Sequence, residues 1–92
     1  MDEIKELLKE LNIFKSGKET EDGYYVVKLD SYEEFNSVYL ALEHEVGINR
    51  DSDASFVRVD EAHIQYNKGK LIIELIGLLD DNNYTLNIFK ED

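Results

Sequence analysis

The sequence predicts an α+β domain in which two helices pack on a mainly antiparallel sheet, in the order α-β-β-α-β-β-β. Three observations carry that prediction. Two segments place apolar residues at helical spacing, several runs have strand length and strand composition, and turn-forming stretches such as Asp22-Gly23 and residues 80–83 separate them. At 92 residues the chain supplies one core, so a single domain over residues 1–92 is expected. Its hydrophobic content of 42% against 34% charged residues is that of a folding chain, not of a disordered one.

The first helix is read from Ile4, Leu7, Leu8 and Leu11, with Lys5, Glu6, Lys9 and Glu10 on the other faces. A hairpin follows, with strands over residues 13–20 and 24–29 and a turn at Asp22-Gly23, and Gly17 marks a bulge or an early break in its first strand. Ser31 and Glu34 stand at capping-box spacing before a second helix, whose apolar stripe is Phe35, Val38, Tyr39, Leu42 and Val46, with Gly47 as its stop. Residues 48–53 read as a loop. Three strands are then expected over residues 55–66, 70–79 and 84–89.

Within the first of these, Val57 and Val59 should point inward. Ala62, Ile64 and Tyr66 share that face only if a β-bulge at Asp60 and Glu61 shifts the register. The run "LIIELIGLL" is apolar on both sides except at Glu74, as for a central strand covered on each face. Tyr24 and Tyr25 must point to opposite sides of their strand, while Phe35, Tyr39, Tyr66 and Tyr84 fall at core or half-buried positions.

Charge is the outlying property. There are 21 acids against 10 bases, a net of −11, where a small domain is comfortable at a magnitude of about 2 to 8. Residues 1–28 and 67–92 are each near balance at −2, whereas residues 29–66 hold nine acids against Arg50 and Arg58, a net of −7. Nucleic acid and anionic membrane are poor direct partners for such a chain, because both are polyanions. A basic protein surface is the natural one. The acidic amphipathic start "MDEIKELLKE" is unlike a signal peptide and no run is long enough to span a bilayer, so a cytoplasmic protein is expected.

Chemical readings find little support. With no cysteine, thiolate metal sites, cysteine nucleophiles and disulfides are excluded. Asn49, Asp51, Asp53 and Asp60 occupy positions one, three, five and twelve of a calcium-loop pattern. Position six is Ala54 where the turn needs Gly, and no helix follows, so no metal is expected. His44 and His63 have no nucleophile motif beside them, and phosphate-cradle, dinucleotide and zinc signatures are missing. Neither an enzyme nor a cofactor is expected.

What remains is a surface. Glu33, Ser37, Leu40 and His44 share the outer face of the second helix, flanked by Glu34, Glu43 and Glu45; Asp51, Asp53, Asp60 and Glu61 follow. Leu40 is an apolar residue in an acidic field, read either as a single stray on a solvated helix face or as the anchor of a contact surface with a charged rim. In size, acidity, α+β pattern and lack of catalytic motifs the chain resembles small phage-encoded anti-defence proteins, including DNA-mimic anti-CRISPR proteins and inhibitors of restriction enzymes or glycosylases. That resemblance implies inhibition of a basic, nucleic-acid-binding host complex, with Glu33, Glu34, Glu43, Glu45, Asp51, Asp53, Asp60 and Glu61 as electrostatic contacts and Leu40 as an apolar one. An immunity protein or antitoxin against a basic toxin nuclease is the alternative. A homo-oligomeric structural subunit, with the strand around residues 72–79 covered by a second copy, is another.

Overall fold

Helix α1 (Asp2–Glu10) opens the computed structural model, which describes residues 2–91. Ile4, Leu7 and Leu8 are buried along one stripe, as their spacing dictates. The helix stops in a Schellman arrangement: Asn12 takes a left-handed φ of 59°, its amide donates to the Lys9 carbonyl, and the Ile13 amide donates to the Leu8 carbonyl. Leu8 and Ile13, both buried, supply the apolar contact that accompanies that motif.

Strand β1 (Lys18–Glu19) pairs antiparallel with β2 (Tyr25–Leu29) around a turn that uses Gly23 at a φ of 88°. The hairpin is as expected, but its first strand is two residues long rather than eight. Ile13 turns into the core and Gly17 lies against the Tyr25 ring, donating its amide to the Tyr25 hydroxyl at 2.9 Å, so residues before 18 cannot continue the ladder.

Helix α2 (Tyr32–His44) is capped by Ser31, whose hydroxyl accepts from the Glu34 amide. The Glu34 carboxylate reaches back to the Asp30 amide at 3.3 Å, one residue short of the reciprocal capping box. Phe35, Val38 and Leu42 are buried and Tyr39 half-buried. Val46 is 91% exposed, contrary to its place in the predicted stripe. The helix ends at His44, Glu45 is already extended, and Ile48 takes the buried position instead.

The largest departure lies between residues 48 and 66. The expected loop is part of strand β3 (Asn49–Val57), and the expected long strand is broken by a turn before β4 (Glu61–Lys68). The Arg58 amide donates to the Glu61 carbonyl at 2.7 Å, closing that turn. Val57 and Val59 are therefore exposed, not inward, while Ala62, Ile64 and Tyr66 do face the core. The register irregularity belongs to β3. Five steps from Asp51 to Phe56 oppose two steps from Gln65 to His63, so residues 52–55 bulge out. The Asp51 carboxylate accepts from the Asp53 and Ala54 amides, and the Ser55 hydroxyl accepts from the Gln65 amide in place of a ladder carbonyl.

Strands β5 (Leu71–Leu78) and β6 (Asn83–Lys90) complete a six-stranded antiparallel sheet in the order β1-β2-β6-β5-β4-β3. The α+β class and the helix-on-sheet architecture are those the sequence predicts, with one more strand because residues 49–68 form a hairpin. Val27, Leu29, Ile64, Tyr66, Ile73, Leu75, Tyr84, Leu86 and Ile88 alternate onto the face that carries the helices. Phe35 packs on Tyr84 with ring centroids 5.4 Å apart and lies over Gly77.

Among the described residues the other face carries no helix, so helices cover β5 on one side only. There Ile72, Ile76 and Leu78 are sheltered by neighbouring side chains, including the stacked pair Tyr24 and Phe89. Tyr25, on the opposite side from Tyr24, packs against the core.

Candidate functional site

The nine residues singled out from the sequence fall into different environments. Glu33 and Leu40 are exposed on α2, Leu40 at 47%, and Asp53 and Asp60 are exposed on β3 and the following turn. Glu45 and Asp51 are half-buried. None of the five acids Glu33, Glu45, Asp51, Asp53 and Asp60 forms an ion pair among the described residues.

The other three acids are engaged internally. Glu34 and Asp30 share the Lys15 ammonium, at 2.8 and 2.7 Å. Hydrogen bonds to Asp30 and then to Glu34 hold the Lys15 ammonium above its ordinary range. Glu43 accepts a 2.7 Å hydrogen bond from the Tyr66 hydroxyl and lies 3.7 Å from Arg50. Burial, reinforced by the Glu43 carboxylate, pushes the Tyr66 phenol upward. Glu61 sits 3.8 Å from Arg58.

Topology sets Glu45, Asp51 and Asp53 in one group and Asp60, beside the Arg58-paired Glu61, in another, while Glu33 stands on the first turn of α2. Helix α2 ends at His44 and β3 begins at Asn49, so Glu45 leads directly to Asp51 and Asp53, and the Arg50–Glu43 pair holds that junction. Asp60 and Glu61 lie at the opposite end of the hairpin. Asp51 pairs with Gln65, four residues along β4 from Glu61, which separates the groups by roughly 13 Å at strand rise.

That opposite end gathers residues the sequence reading missed. The Leu79 amide donates to the Asp60 carbonyl at 2.9 Å, which fixes the turn after β5 beside the turn after β3. Val57, Val59 and Leu79 are exposed there at 72, 99 and 38%, next to Asp60, Asp80 and Asp81. Asp80 and Asp81 were legible only as turn residues. The signal that could have found the valines is the sequence Val57-Arg58-Val59-Asp60-Glu61, which supports a turn as readily as a strand once Ala62, Ile64 and Tyr66 claim the core.

No group of His, Asp and Glu among the described residues has the geometry to hold a metal ion. His44 is exposed. His63 Nε2 lies 3.4 Å from Glu74 Oε2 on the helix-free face. A groove of about 360 Å³ between α2 and residues 11–15 is lined by Leu11, Ile13, Leu29, Val38 and Ala41, and its two charged side chains, Lys15 and Glu34, neutralise each other. Among the described residues no helix is long and apolar enough to cross a membrane. Comparison with protein-family models, with curated proteins and with solved structures finds no match.

Proposed function

We propose that this protein is a non-catalytic acidic binding protein that occupies the nucleic-acid-binding surface of a basic partner and inhibits it, in the manner of anti-CRISPR or other DNA-mimic proteins of phage. One observation carries the reading. Glu33 on α2, Glu45 just past its end, Asp51 and Asp53 on β3 and Asp60 in a closed turn have no cation paired to them among the described residues. Meanwhile five of the ten cations, Lys15, Arg50, Arg58, Lys68 and Lys90, are engaged by other acids. The negative field is thus concentrated at fixed positions, as it is on a phosphate backbone, and a cationic groove is attracted by it without any base edges to read.

The test is capture of partners from a bacterial lysate at low salt, followed by elution with a salt gradient and separately with competing DNA. Recovery of one nucleic-acid-binding enzyme displaced by both is expected. Reversal of Glu33, Asp53 and Asp60 to Lys should slow its association by about tenfold or more at low salt. An association rate unchanged by those reversals would sink the proposal.

A second reading, a homo-oligomeric subunit, draws on the helix-free sheet face with Ile72, Ile76 and Leu78. Glu74 at the middle of β5 opposes it, because a two-fold axis through that face would set two half-buried carboxylates against each other. Light scattering at micromolar concentration distinguishes the two.

A further inference from the structure

We infer that the sheet end built from turns 58–61 and 79–82 is the part of this protein that enters its partner, and that the partner offers it an apolar pocket rimmed by Lys and Arg. The inference rests on the acidic-binding reading above and locates its energetic centre. Eight large apolar side chains are exposed among the described residues, and five lie at this end: Val57, Val59 and Leu79 at the two turns, Phe56 on the helix-free side beside His63, and Tyr32 on the helix side. Tyr32 is brought there by its edge contact with Tyr84, 6.2 Å between centroids, at the start of β6. Val59, 99% exposed at the apex of a turn, is a β-branched residue where polar turn formers are the rule. Exposed valine at such a position contributes nothing to this fold and leaves apolar area for another molecule to cover.

The surroundings of these side chains decide the kind of partner. Asp60, Asp80 and Asp81 stand around them without ion pairs among the described residues. The one cation in the hairpin turn, Arg58, is turned back: its guanidinium lies 5.0 Å from the Phe56 ring centroid and 3.8 Å from the Glu61 carboxylate. The patch has an apolar centre and a mainly acidic rim, into which Lys28 also reaches through its bond to Asn83, and it is complementary to an apolar pocket with a basic rim. A second copy of this chain would bring identical carboxylates against it. An anionic bilayer or a nucleic acid would repel it. The Leu79–Asp60 backbone bond and the closed turn at Arg58 hold the patch in shape before contact, so little ordering cost falls on binding.

The probe is a short synthetic amphipathic peptide of leucine and lysine, titrated at low salt into the isotope-labelled protein and followed by amide chemical shifts. Shifts confined to residues 56–61 and 79–83 are expected. Val59→Ser should weaken peptide binding by about tenfold, a loss of ~1.4 kcal/mol, while leaving the melting temperature unchanged. Shifts centred on the outer face of α2, with Val59→Ser binding like the parent, would overturn this location while leaving the acidic-binding reading intact. A peptide that causes no shifts at low salt would overturn both.

Discussion

The Tyr66 hydroxyl donates a 2.7 Å hydrogen bond to the Glu43 carboxylate, tying the middle of β4 to the last turns of α2. Tyr66 is 1% exposed, so the hydroxyl has little water to turn to if Glu43 is removed, whereas Glu43 keeps Arg50 and some solvent. Tyr66→Phe should therefore cost only about 1 kcal/mol in urea unfolding near neutral pH. Because the folded phenol titrates above its usual value of 10.0, the unfolded chain releases its proton first. The contribution of Tyr66 to stability is complete below that pH and is lost as pH rises beyond it. The Phe variant should lose less stability than the parent between neutrality and strongly alkaline solution. Parallel slopes for the two would contradict the burial assigned to this hydroxyl.

Gly17→Ala should destabilise the fold by about 1–3 kcal/mol. A Cβ there would lie 2.5 Å from Tyr25 Cε2 and 2.8 Å from the Val26 carbonyl oxygen, and the latter is backbone in a paired strand. Either β2 moves or the 2.9 Å bond from the Gly17 amide to the Tyr25 hydroxyl breaks. Thermal or chemical denaturation of the variant reads the cost directly, and a stability equal to the parent would mean that residues 13–17 are free to move away.

Leu75→Ala and Val59→Ala form a matched pair. Leu75 is fully buried on the central strand, and its truncation should cost about 2–5 kcal/mol. Val59 touches nothing, and its truncation should stay within about 0.5 kcal/mol. A strand running straight through residues 55–66, with Val59 inward, requires a large cost at both positions. Denaturant titration of the two variants separates these arrangements.

Moderate sodium chloride should raise the melting temperature. The net charge of −11 repels itself at all separations within a screening length, roughly 10 Å at 0.1 M salt, whereas the ion pairs that salt weakens are mostly solvent-exposed and contribute little each. The Lys15 cluster is the exception to that balance: Lys15→Met should lower the melting temperature, and by less at high salt than at low, because Asp30 and Glu34 are then left facing each other. Differential scanning calorimetry across a salt series measures both effects.

Helix boundaries were legible where local chemistry closes locally. Ser31 caps α2 through an amide three residues away, and the first-helix stripe of Ile4, Leu7 and Leu8 buries as its spacing requires. Val46 misled because the 3.6-residue period continues past the point where the backbone stops being helical; Glu45 leaves the helix so that Ile48 can enter the core. For the candidate surface, the sequence located the acids but not their partners. Glu34 and Glu43 are engaged by Lys15 and Tyr66, 19 and 23 residues away, and no periodicity within α2 encodes those meetings.

The sequence by itself determined the class of fold, both helices, the face of β4 that enters the core and the concentration of negative charge in residues 29–66. Each of these follows from propensity, spacing or composition within a few residues. Only the tertiary structure decided that residues 49–68 turn back at Arg58, that one face of the sheet has no helix, and that Val57, Val59 and Leu79 meet beside Asp60, Asp80 and Asp81. The segment 55–66 could alternate as one strand with a bulge or as two with a turn at nearly equal local cost. Pairing of Asn49, Arg50 and Asp51 with Asn67, Tyr66 and Gln65 adds ladder bonds that a single long strand cannot make, and that long-range gain selects the hairpin.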